Sequence, residues 1–280
     1  MKLPDKQERR IRRLIGQLGV PRNADRAIDE LVEIGERAVP HLFAAYYHSS
    51  SGHPKTTNAI TAMIRIGGDE IIDQFTRVLF DHDRDEWARY RAVEALSHFG
   101  RRATPHLIRT LRHDPSDWVR GWSAEVLGMI GSSEAVPALI EQVKNAAGDT
   151  REYSVRALYE LPDIRAVGAL ASALTDRNWE TAMWAASALG RTRSEDAIPH
   201  LLKALKDERD AVRSAAALAL AEIGRPDTVA EVARLLDDDE KSIAITAPVN
   251  TFAVKALEKF GTPEALQALA EWKAREERRA

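Results

Sequence analysis

The sequence predicts an all-α protein, an alpha-alpha superhelix of about eight antiparallel helix pairs. Three observations lead to this prediction. Residues that end helices recur along the whole chain, apolar residues occupy fixed positions before each of them, and a short apolar helix follows each. No segment shows the sustained alternation of apolar and polar residues that is typical of β-strands.

The predicted helix ends recur at a nearly regular interval. They are Gly35, Gly67, Gly100, Gly131, Pro162, Gly190, Gly224 and Gly261, with spacings of 32, 33, 31, 31, 28, 34 and 37 residues. Glycine readily takes the left-handed backbone that closes a helix, and proline cannot continue one. A fixed interval of this length indicates stacked helical repeats.

The same apolar pattern precedes every predicted helix end. Eight positions earlier lies a small residue, four positions earlier lies leucine, methionine or alanine, and directly before it lies isoleucine, leucine or phenylalanine. At about 100° per residue these positions share one helix face, so we expect all three to be buried. The small residue would let a neighbouring helix approach to roughly 8–10 Å.

Each repeat is predicted to contain two helices. The second helix ends at a residue of the periodic set, and the first helix of the next repeat follows it, as in "AVPHLFAAYY" and "AIPHLLKAL". The segments 48–55 and 237–249 lengthen the turn between two helices, and Pro54 and Pro248 are expected in the first turn of the helix that follows. Because the charged terminal helices are suited to capping a stack, we expect one domain over residues 1–280.

Two segments carry a resemblance to a known family. "SEDAIPHLLKALKDERDAVRSAAALALAEIG" (194–224) and "SSEAVPALIEQV" (132–143) resemble HEAT-like repeats of the short bacterial type, also called phycobilisome-lyase HEAT-like repeats. The resemblance covers nearly the whole chain. It implies a HEAT-like solenoid with first helices on the convex side and second helices on the concave side, and it specifies a fold far more than an activity.

Composition narrows the classes of function. The 280 residues carry a formal net charge of −3 and contain no cysteine. No global basic field would attract nucleic acid, and disulfides, thiolate metal sites and cysteine nucleophiles are excluded. The start of the chain lacks the apolar core of a secretory signal, and no apolar stretch is long enough to span a membrane. We therefore expect a cytoplasmic protein without membrane contact.

A charged motif, D-x-x-[DE]-x-x-R, recurs with the repeat. It includes Asp83/Glu86/Arg89, Asp114/Asp117/Arg120 and Asp207/Asp210/Arg213, with Arg151 at the equivalent arginine position. A row of phosphate or carboxylate clamps is one interpretation. The other, which we favour because the motif follows the repeat, is structural. In it the acid caps the free N–H groups of the second helix, and the arginine pairs with an acid of an adjacent repeat.

No motif for catalysis, cofactor binding or metal binding is found. The sequence has no glycine-rich phosphate loop, nucleophile elbow or H-E-x-x-H segment. The resembled family includes an iron hydroxylase whose repeats carry His-Glu ligand pairs, and this sequence has no His-Glu pair. We therefore expect no catalytic residues, no metal and no cofactor, although a lyase-like or glycosylase-like activity stays open.

Aromatic residues are concentrated on one predicted face. Eight of the eleven Trp and Tyr residues lie in the second helices of repeats three to six. Those on positions predicted to point away from the core are Trp87, Tyr90, Trp118, Trp122, Tyr153, Tyr159 and Trp184. Repeat seven has Ala211, Ser214, Ala215 and Leu218 instead, so the repeat itself does not require rings there. Large rings exposed in a row are typical of binding surfaces, here about 30–40 Å long. Alternatively, the rings fold over the seams between repeats and belong to the core.

Charged residues on the same face indicate the class of ligand. Acids outnumber arginines among its outward positions, and Arg91, Glu94, Glu125, Arg156 and Glu160 are predicted to orient a partner. The sequence thus predicts a non-enzymatic scaffold that binds a protein or peptide. Two alternatives follow from the resemblance: a protein that handles bilins or other tetrapyrroles, as phycobilisome lyases do, and a nucleic-acid-binding protein of the DNA glycosylase type. The charge balance makes nucleic acid the less favoured ligand.

Overall fold

The computed structural model describes residues 6–48, 53–81, 86–239 and 247–279. These residues form α-helices joined by short turns and 3-10 helices, and no extended β-strand occurs among them. The chain divides into two compact units, Met1–Thr110 and Leu111–Ala280. The predicted all-α class is confirmed, and the single-domain organisation stays a prediction.

The helices follow the predicted pairs in chain order. They are α1 (Lys6–Gln17), α2 (Pro21–Ile34), α3 (Val39–His48), α4 (Pro54–Ile66), α5 (Asp69–Phe80), α6 (Glu86–Ser97), α7 (Thr104–His113), α8 (Asp117–Ile130), α9 (Val136–Asn145), α10 (Gly148–Glu160), α11 (Val167–Ala173), α12 (Trp179–Thr192), α13 (Ile198–Ala204), α14 (Asp210–Ile223), α15 (Val229–Ala233), α16 (Val249–Phe260) and α17 (Pro263–Arg279). The even-numbered helices α2 to α16 are the second helices of repeats one to eight, and α17 follows the last repeat.

Two of the three predicted core columns are fully buried. The small residues Ala27, Ala59, Ala92, Ser123, Ser154, Ala182, Ala216 and Ala253 are all 0 % exposed. The same holds for Leu31, Met63, Leu96, Leu127, Leu158, Ala186, Leu220 and Leu257 four residues later. The third column is less buried than predicted, since Ile34, Ile130 and Phe260 are half-buried. These residues lie at the last turn, where less of the neighbouring helix covers them.

Glycine directly follows the last residue of five second helices, at Gly35, Gly67, Gly131, Gly224 and Gly261, whereas α6 ends at Ser97, three residues before Gly100. Gly35, Gly67, Gly100, Gly131, Gly224 and Gly261 have φ between +55° and +79°. Gly190 does not end α12, which continues to Thr192 and is capped by Arg193 at φ 52°. The prediction of a helix end at Gly190 is therefore wrong. A Cβ at this glycine would lie 2.6 Å from the Cα of Ala219, so its role is close helix packing.

In the first unit, aromatic side chains consolidate the contact of α3 with α5. The rings of Phe43 and Phe75 have centroids 4.9 Å apart, and Tyr46 packs edge-on against Phe75 at 5.7 Å. The hydroxyl of Tyr46 donates a hydrogen bond to the carbonyl oxygen of Ala88 on α6, 2.5 Å away. Pro54 begins α4 as predicted.

In the second unit, the second helices α8, α10, α12, α14 and α16 pack in sequence, each against the next. The approach of α8 to α10 is very close. A Cβ on Gly121 would lie 2.8 Å from Cδ2 of Tyr153, and one on Gly128 would lie 2.9 Å from the Cα of Ala157. Both glycines are buried at the seam between the two helices.

The recurrent acids and arginines connect neighbouring repeats. Arg213 forms a two-pronged ion pair with Asp238 of the next repeat, at 2.8 and 3.3 Å, and Arg151 lies 3.2 Å from Asp176. Arg120 differs, because it pairs with Asp117 of its own repeat at 2.9 Å. Asp83 and the side chain of Glu86 lie outside the described residues.

The acid of the motif caps a different helix from the one predicted. Asp117 accepts a hydrogen bond from the backbone N–H of Asp149 at the start of α10, at 2.9 Å. It also accepts one from the hydroxyl of Thr150, at 2.5 Å. Its own helix, α8, is capped by Ser116 instead. The motif therefore holds repeats together, as the structural interpretation predicts.

The second insertion differs in detail from its prediction. Pro248 is the residue before α16, which begins at Val249, so this proline precedes the first turn. Residues 240–246 of that insertion and residues 49–52 of the other lie outside the described part of the chain.

Candidate functional site

Five aromatic side chains form a line across three consecutive second helices. Trp118 and Trp122 on α8 meet edge-on at 5.8 Å between centroids, and Trp122 meets Tyr153 on α10 at 5.5 Å. Tyr159 on α10 meets Trp184 on α12 edge-on at 5.3 Å. We refer to Trp118, Trp122, Tyr153, Tyr159 and Trp184, together with Arg156, as the aromatic band.

Arg156 joins the two parts of the aromatic band. Its guanidinium carbon lies 5.1 Å from the ring centroid of Tyr153 and 5.6 Å from that of Trp184. It also forms an ion pair with Glu125 on α8 at 3.2 Å. A planar guanidinium stacks on rings and pairs with a carboxylate at the same time, which a lysine could not do equally well. This side chain therefore orders both rings.

A second arginine continues the arrangement beyond Tyr159. The guanidinium carbon of Arg191 lies 4.4 Å from the ring centroid of Tyr159, and Arg191 lies 3.7 Å from Glu160. Beside it is a shallow cleft of about 70 Å³, whose lining includes Met129, Tyr159 and Trp184. Met129 is 69 % exposed, an unusual exposure for a large apolar side chain.

The aromatic band is neither fully exposed nor part of the core. All five rings are half-buried. They lie over the seams between neighbouring second helices and keep part of their surface in contact with solvent. The prediction of outward-facing rings is thus right in part, and the alternative, that the rings cover the seams, is right in part as well.

The equivalent positions of repeat seven show what the fold requires there. Ala211 and Ser214 are 1 % and 0 % exposed, and Ala215 is 7 % exposed. Small residues at these positions become buried between α14 and its neighbours. Rings cannot be accommodated in the same way, so in repeats four to six they project partly beyond the seam.

The predicted residues of repeat three lie in the first unit. Tyr90 and Arg91 are half-buried and Glu94 is exposed. Arg91 donates a hydrogen bond to the hydroxyl of Thr57 on α4, at 2.9 Å. The side chain of Trp87 lies outside the described residues. The structure thus brings together Trp118, Trp122, Glu125, Tyr153, Arg156, Tyr159, Glu160 and Trp184, and the contribution of repeat three stays a prediction.

Sequence reasoning missed two members of this surface. Arg191 follows Gly190, a predicted helix end, so the sequence pattern does not place it on α12. Met129 lies two residues before Gly131, on a position that the repeat predicts to point outward, but it is neither aromatic nor charged and is therefore not among the predicted residues. The helical continuation "ALGRT" (188–192) was the available signal for Arg191.

Acidic residues accumulate near the first turns of α10 and α12. Asn178 donates a hydrogen bond to a carboxylate oxygen of Glu152 at 3.0 Å. Burial, and next the negative charge of Glu180, raise the pKa of Glu152, while Arg156 opposes this shift. Burial also raises the pKa of Tyr153, and the carboxylates of Glu152, Glu125 and Asp149 add to it.

Metal-site clusters and membrane-spanning helices are absent from the described part of the chain. No group of three or more His, Asp or Glu side chains there has the geometry of a metal site. His41 and His106 lie instead beside single acids, Glu8 at 3.7 Å and Asp73 at 3.6 Å. No helix within the described ranges is long and apolar enough to cross a bilayer.

The periodic fold can be compared with known proteins. A family model described as HEAT repeats matches residues 55–128, 72–159, 104–180, 136–216, 167–248 and 204–280. No curated protein matches the chain. The structure is similar to that of YibA from Escherichia coli, with 17 % identity, a TM-score of 0.57, and coverage of 87 % of this chain and 88 % of that chain.

Two further solved structures match this chain. One is an engineered protein with 17 % identity and a TM-score of 0.50, covering 97 % of this chain and 90 % of that chain. The other is the complex of CpcE and CpcF of phycocyanin lyase from a Nostoc species, with 22 % identity and a TM-score of 0.42, covering 84 % and 94 %. At these identities the likeness concerns the fold alone. Because the matched segments of the family model span most of the sequence, the chain belongs to the HEAT repeat family.

Proposed function

We propose that this chain is a non-enzymatic scaffold that binds a protein or peptide on the second-helix face of repeats three to six, with the aromatic band as its centre. The observation that carries the proposal is the line of half-buried rings across α8, α10 and α12, ordered by Arg156. Repeat seven shows that the fold does not need rings at these positions.

The chemistry of the aromatic band suits a protein interface. Tryptophan, tyrosine and arginine are the residues most enriched among those that dominate binding energy. Their rings offer a large contact area at a small cost in side-chain entropy. Here that cost is reduced further, because each ring already contacts another ring or a guanidinium before a partner arrives. Preorganisation of this kind strengthens binding.

The charged residues beside the aromatic band are suited to orient a partner. Glu125 and Glu160 are held in ion pairs with Arg156 and Arg191. Such pairs fix the position of the arginines over the rings. Tyr90, Arg91, Glu94 and Trp87 are the contacts that we propose for repeat three.

A photo-crosslinking experiment tests the position of this surface. The full chain would carry benzoylphenylalanine at position 129, in the cleft beside the aromatic band, and would be irradiated in an extract of the source cells. The matched control carries the same group at position 164, because Ile164 and Met129 are 68 % and 69 % exposed, respectively. We expect a specific product from position 129 that position 164 does not give.

The crosslinked protein would then be identified by mass spectrometry, purified and titrated by calorimetry. We expect Trp122→Ala with Trp184→Ala to weaken its binding about tenfold or more, since truncated hot-spot rings typically cost that much or more. Circular dichroism should show an intact helical fold. An unchanged Kd, or equal products from positions 129 and 164, would reject the proposal.

The two alternatives give different outcomes in direct assays. Visible absorbance that changes on mixing with a linear tetrapyrrole, and depends on the aromatic band, would favour tetrapyrrole handling. Salt-sensitive retention on DNA would favour nucleic-acid binding. Both alternative ligands carry negative charge and would need free arginines. The two arginines on the rings are already paired with carboxylates, which disfavours both alternatives.

A further inference from the structure

Three carboxylates beside the aromatic band lack a cationic partner of their own. Asp149 and Glu152 lie in the first turns of α10, and Glu180 lies in the first turn of α12. Among the residues that the structure describes, none of the three forms an ion pair with lysine or arginine. Arg177 is exposed and close in sequence to Glu180, yet it forms no ion pair with them in these same ranges. This differs from Glu125 and Glu160, which are both paired.

The three acids influence each other and the rings. The charges of Glu180 and Asp149 both raise the pKa of Glu152, which is half-buried, and Arg156 acts in the opposite direction. Glu152 and Asp149 also act on Tyr153, whose ring contacts Trp122. The negative charge is therefore adjacent to the aromatic band. Asn178 contacts Glu152, and Trp179, which follows Asn178, is 38 % exposed.

Arg156 shows how a guanidinium is accommodated on this surface. It lies against the rings of Tyr153 and Trp184 with the carboxylate of Glu125 at 3.2 Å. Rings and carboxylates occur together again around Glu152, which forms no ion pair with any arginine that the structure describes. A cation over a ring and beside an acid gains from both interactions, more so when it is partly shielded from water.

We propose that the partner is a basic, extended protein segment, whose lysine or arginine side chains bind beside Asp149, Glu152 and Glu180 while its apolar side chains lie on the aromatic band. This inference rests on the proposed function and specifies the chemistry of the partner. A cationic partner would offset the negative charge of the three acids. An anionic ligand would instead meet carboxylates that form no ion pair and arginines that are already paired.

The inference is tested with three labelled twelve-residue peptides in which leucine alternates with arginine, glutamine or glutamate. Fluorescence anisotropy with the full chain should give a Kd at least about tenfold lower for the arginine peptide than for the other two. Glu152→Gln and Glu180→Gln should each weaken that binding about three- to tenfold. The matched control is Glu134→Gln, which removes the same charge from an exposed residue in the turn before α9, and it should leave the Kd unchanged.

Arg156→Gln separates the two signs of ligand. The variant disturbs the rings that Arg156 orders, so both charged peptides should bind less tightly, but it also frees Glu125, so the preference for the arginine peptide over the glutamate peptide should stay equal or increase. Equal binding of the three peptides, preference for the glutamate peptide, or no effect of Glu152→Gln beyond that of Glu134→Gln would overturn the inference.

The outcomes distinguish this inference from the proposed function. If binding of the crosslinked partner depends on Trp122 and Trp184 but is insensitive to Glu152→Gln and Glu180→Gln, the proposed scaffold function is supported and the basic partner is rejected. If binding depends on neither the rings nor the acids, both the proposed function and the basic partner are rejected. Binding of duplex or single-stranded DNA that weakens with Arg156→Gln would replace a protein partner with nucleic acid.

Discussion

Glu152 illustrates how a single residue can oppose stability at a binding surface. Its carboxylate is half-buried, accepts one hydrogen bond from Asn178 and lies near the negative charges of Glu180 and Asp149. Burial and repulsion both disfavour its charged form. The folded chain therefore binds a proton at Glu152 more readily than the unfolded chain does. Residues that destabilise the fold where they stand are often those that serve binding.

We expect Glu152→Gln to raise the Tm at pH 7, by on the order of 1 °C after allowing for solvent screening. Because the folded-state pKa is raised, the stability contributed by this group is highest at low pH and is lost as the pH rises through that pKa. The difference between variant and wild type should therefore vanish below about pH 4. Scanning calorimetry at several pH values measures this. A Tm at pH 7 equal to or below wild type would contradict it.

Asp117 has the opposite effect on stability, because its carboxylate interacts with three other groups of the fold. It bonds to the guanidinium of Arg120, the hydroxyl of Thr150 and the backbone N–H of Asp149. We expect Asp117→Ala to lower the free energy of unfolding by about 1–2 kcal/mol, through loss of a cap and of inter-repeat hydrogen bonds. Urea denaturation checks this value. Asp196→Ala, at an exposed acid in a 3-10 turn, should change it by less than about 0.5 kcal/mol.

At the level of helices, the distance between neighbouring second helices is set by residues without a Cβ or with a small side chain. Gly121 and Gly128 bring α8 against α10, and Gly190 brings α12 against Ala219 of α14. This close approach also determines how far the rings can sink into the seams. The helix α12 continues two residues past Gly190, and Arg191 in this last part reaches Tyr159.

We expect Gly190→Ala to destabilise the protein by about 1–3 kcal/mol, because the added Cβ would lie 2.6 Å from a backbone atom of α14 that cannot rotate away. The matched control is Gly168→Ala in α11, where nothing lies within 4 Å of the added Cβ. That change should be neutral or stabilising by up to about 1 kcal/mol, since alanine favours helices. Chemical denaturation distinguishes the two. Equal effects would show that the close approach is not rigid.

For the whole molecule, stability is expected to be a sum over neighbouring repeats. In the second unit each second helix packs mainly against the one before and the one after it. In repeat proteins, a destabilising change acts locally, because each repeat contacts only its neighbours. The ion pair of Arg213 with Asp238 belongs to this pattern, since it joins repeat seven to the start of the next connection.

We expect a chain that ends at Asp239 to stay helical and to lose protection from hydrogen exchange only near the truncation. Removal of α16 uncovers α14, whose buried residues include Val212 and Leu220. Hydrogen exchange should quicken in α14, while amides in α8 and α10 keep their protection, because their neighbours are unchanged. Uniform loss of protection along the second unit would instead indicate a single cooperative block.

Much of the architecture could be predicted from the sequence because it depends on local rules. The sequence predicts the repeat period and two columns, the small residue eight positions before each helix end and the apolar residue four positions before it, and both columns are fully buried. The twelve predicted site residues follow from the same helical period. Eight of them meet in the second unit, since residues on equivalent faces of stacked helices become neighbours.

The sequence by itself thus determined the repeat, the helix pairs and the two buried columns, since these follow from backbone preferences and a helical period. Only the tertiary structure decided that Gly121 and Gly128 lie in a seam, that Arg156 lies between two rings and that the aromatic band is half-buried. The physical reason is that these features depend on how closely two helices approach, and this distance is fixed by contacts between residues one repeat apart.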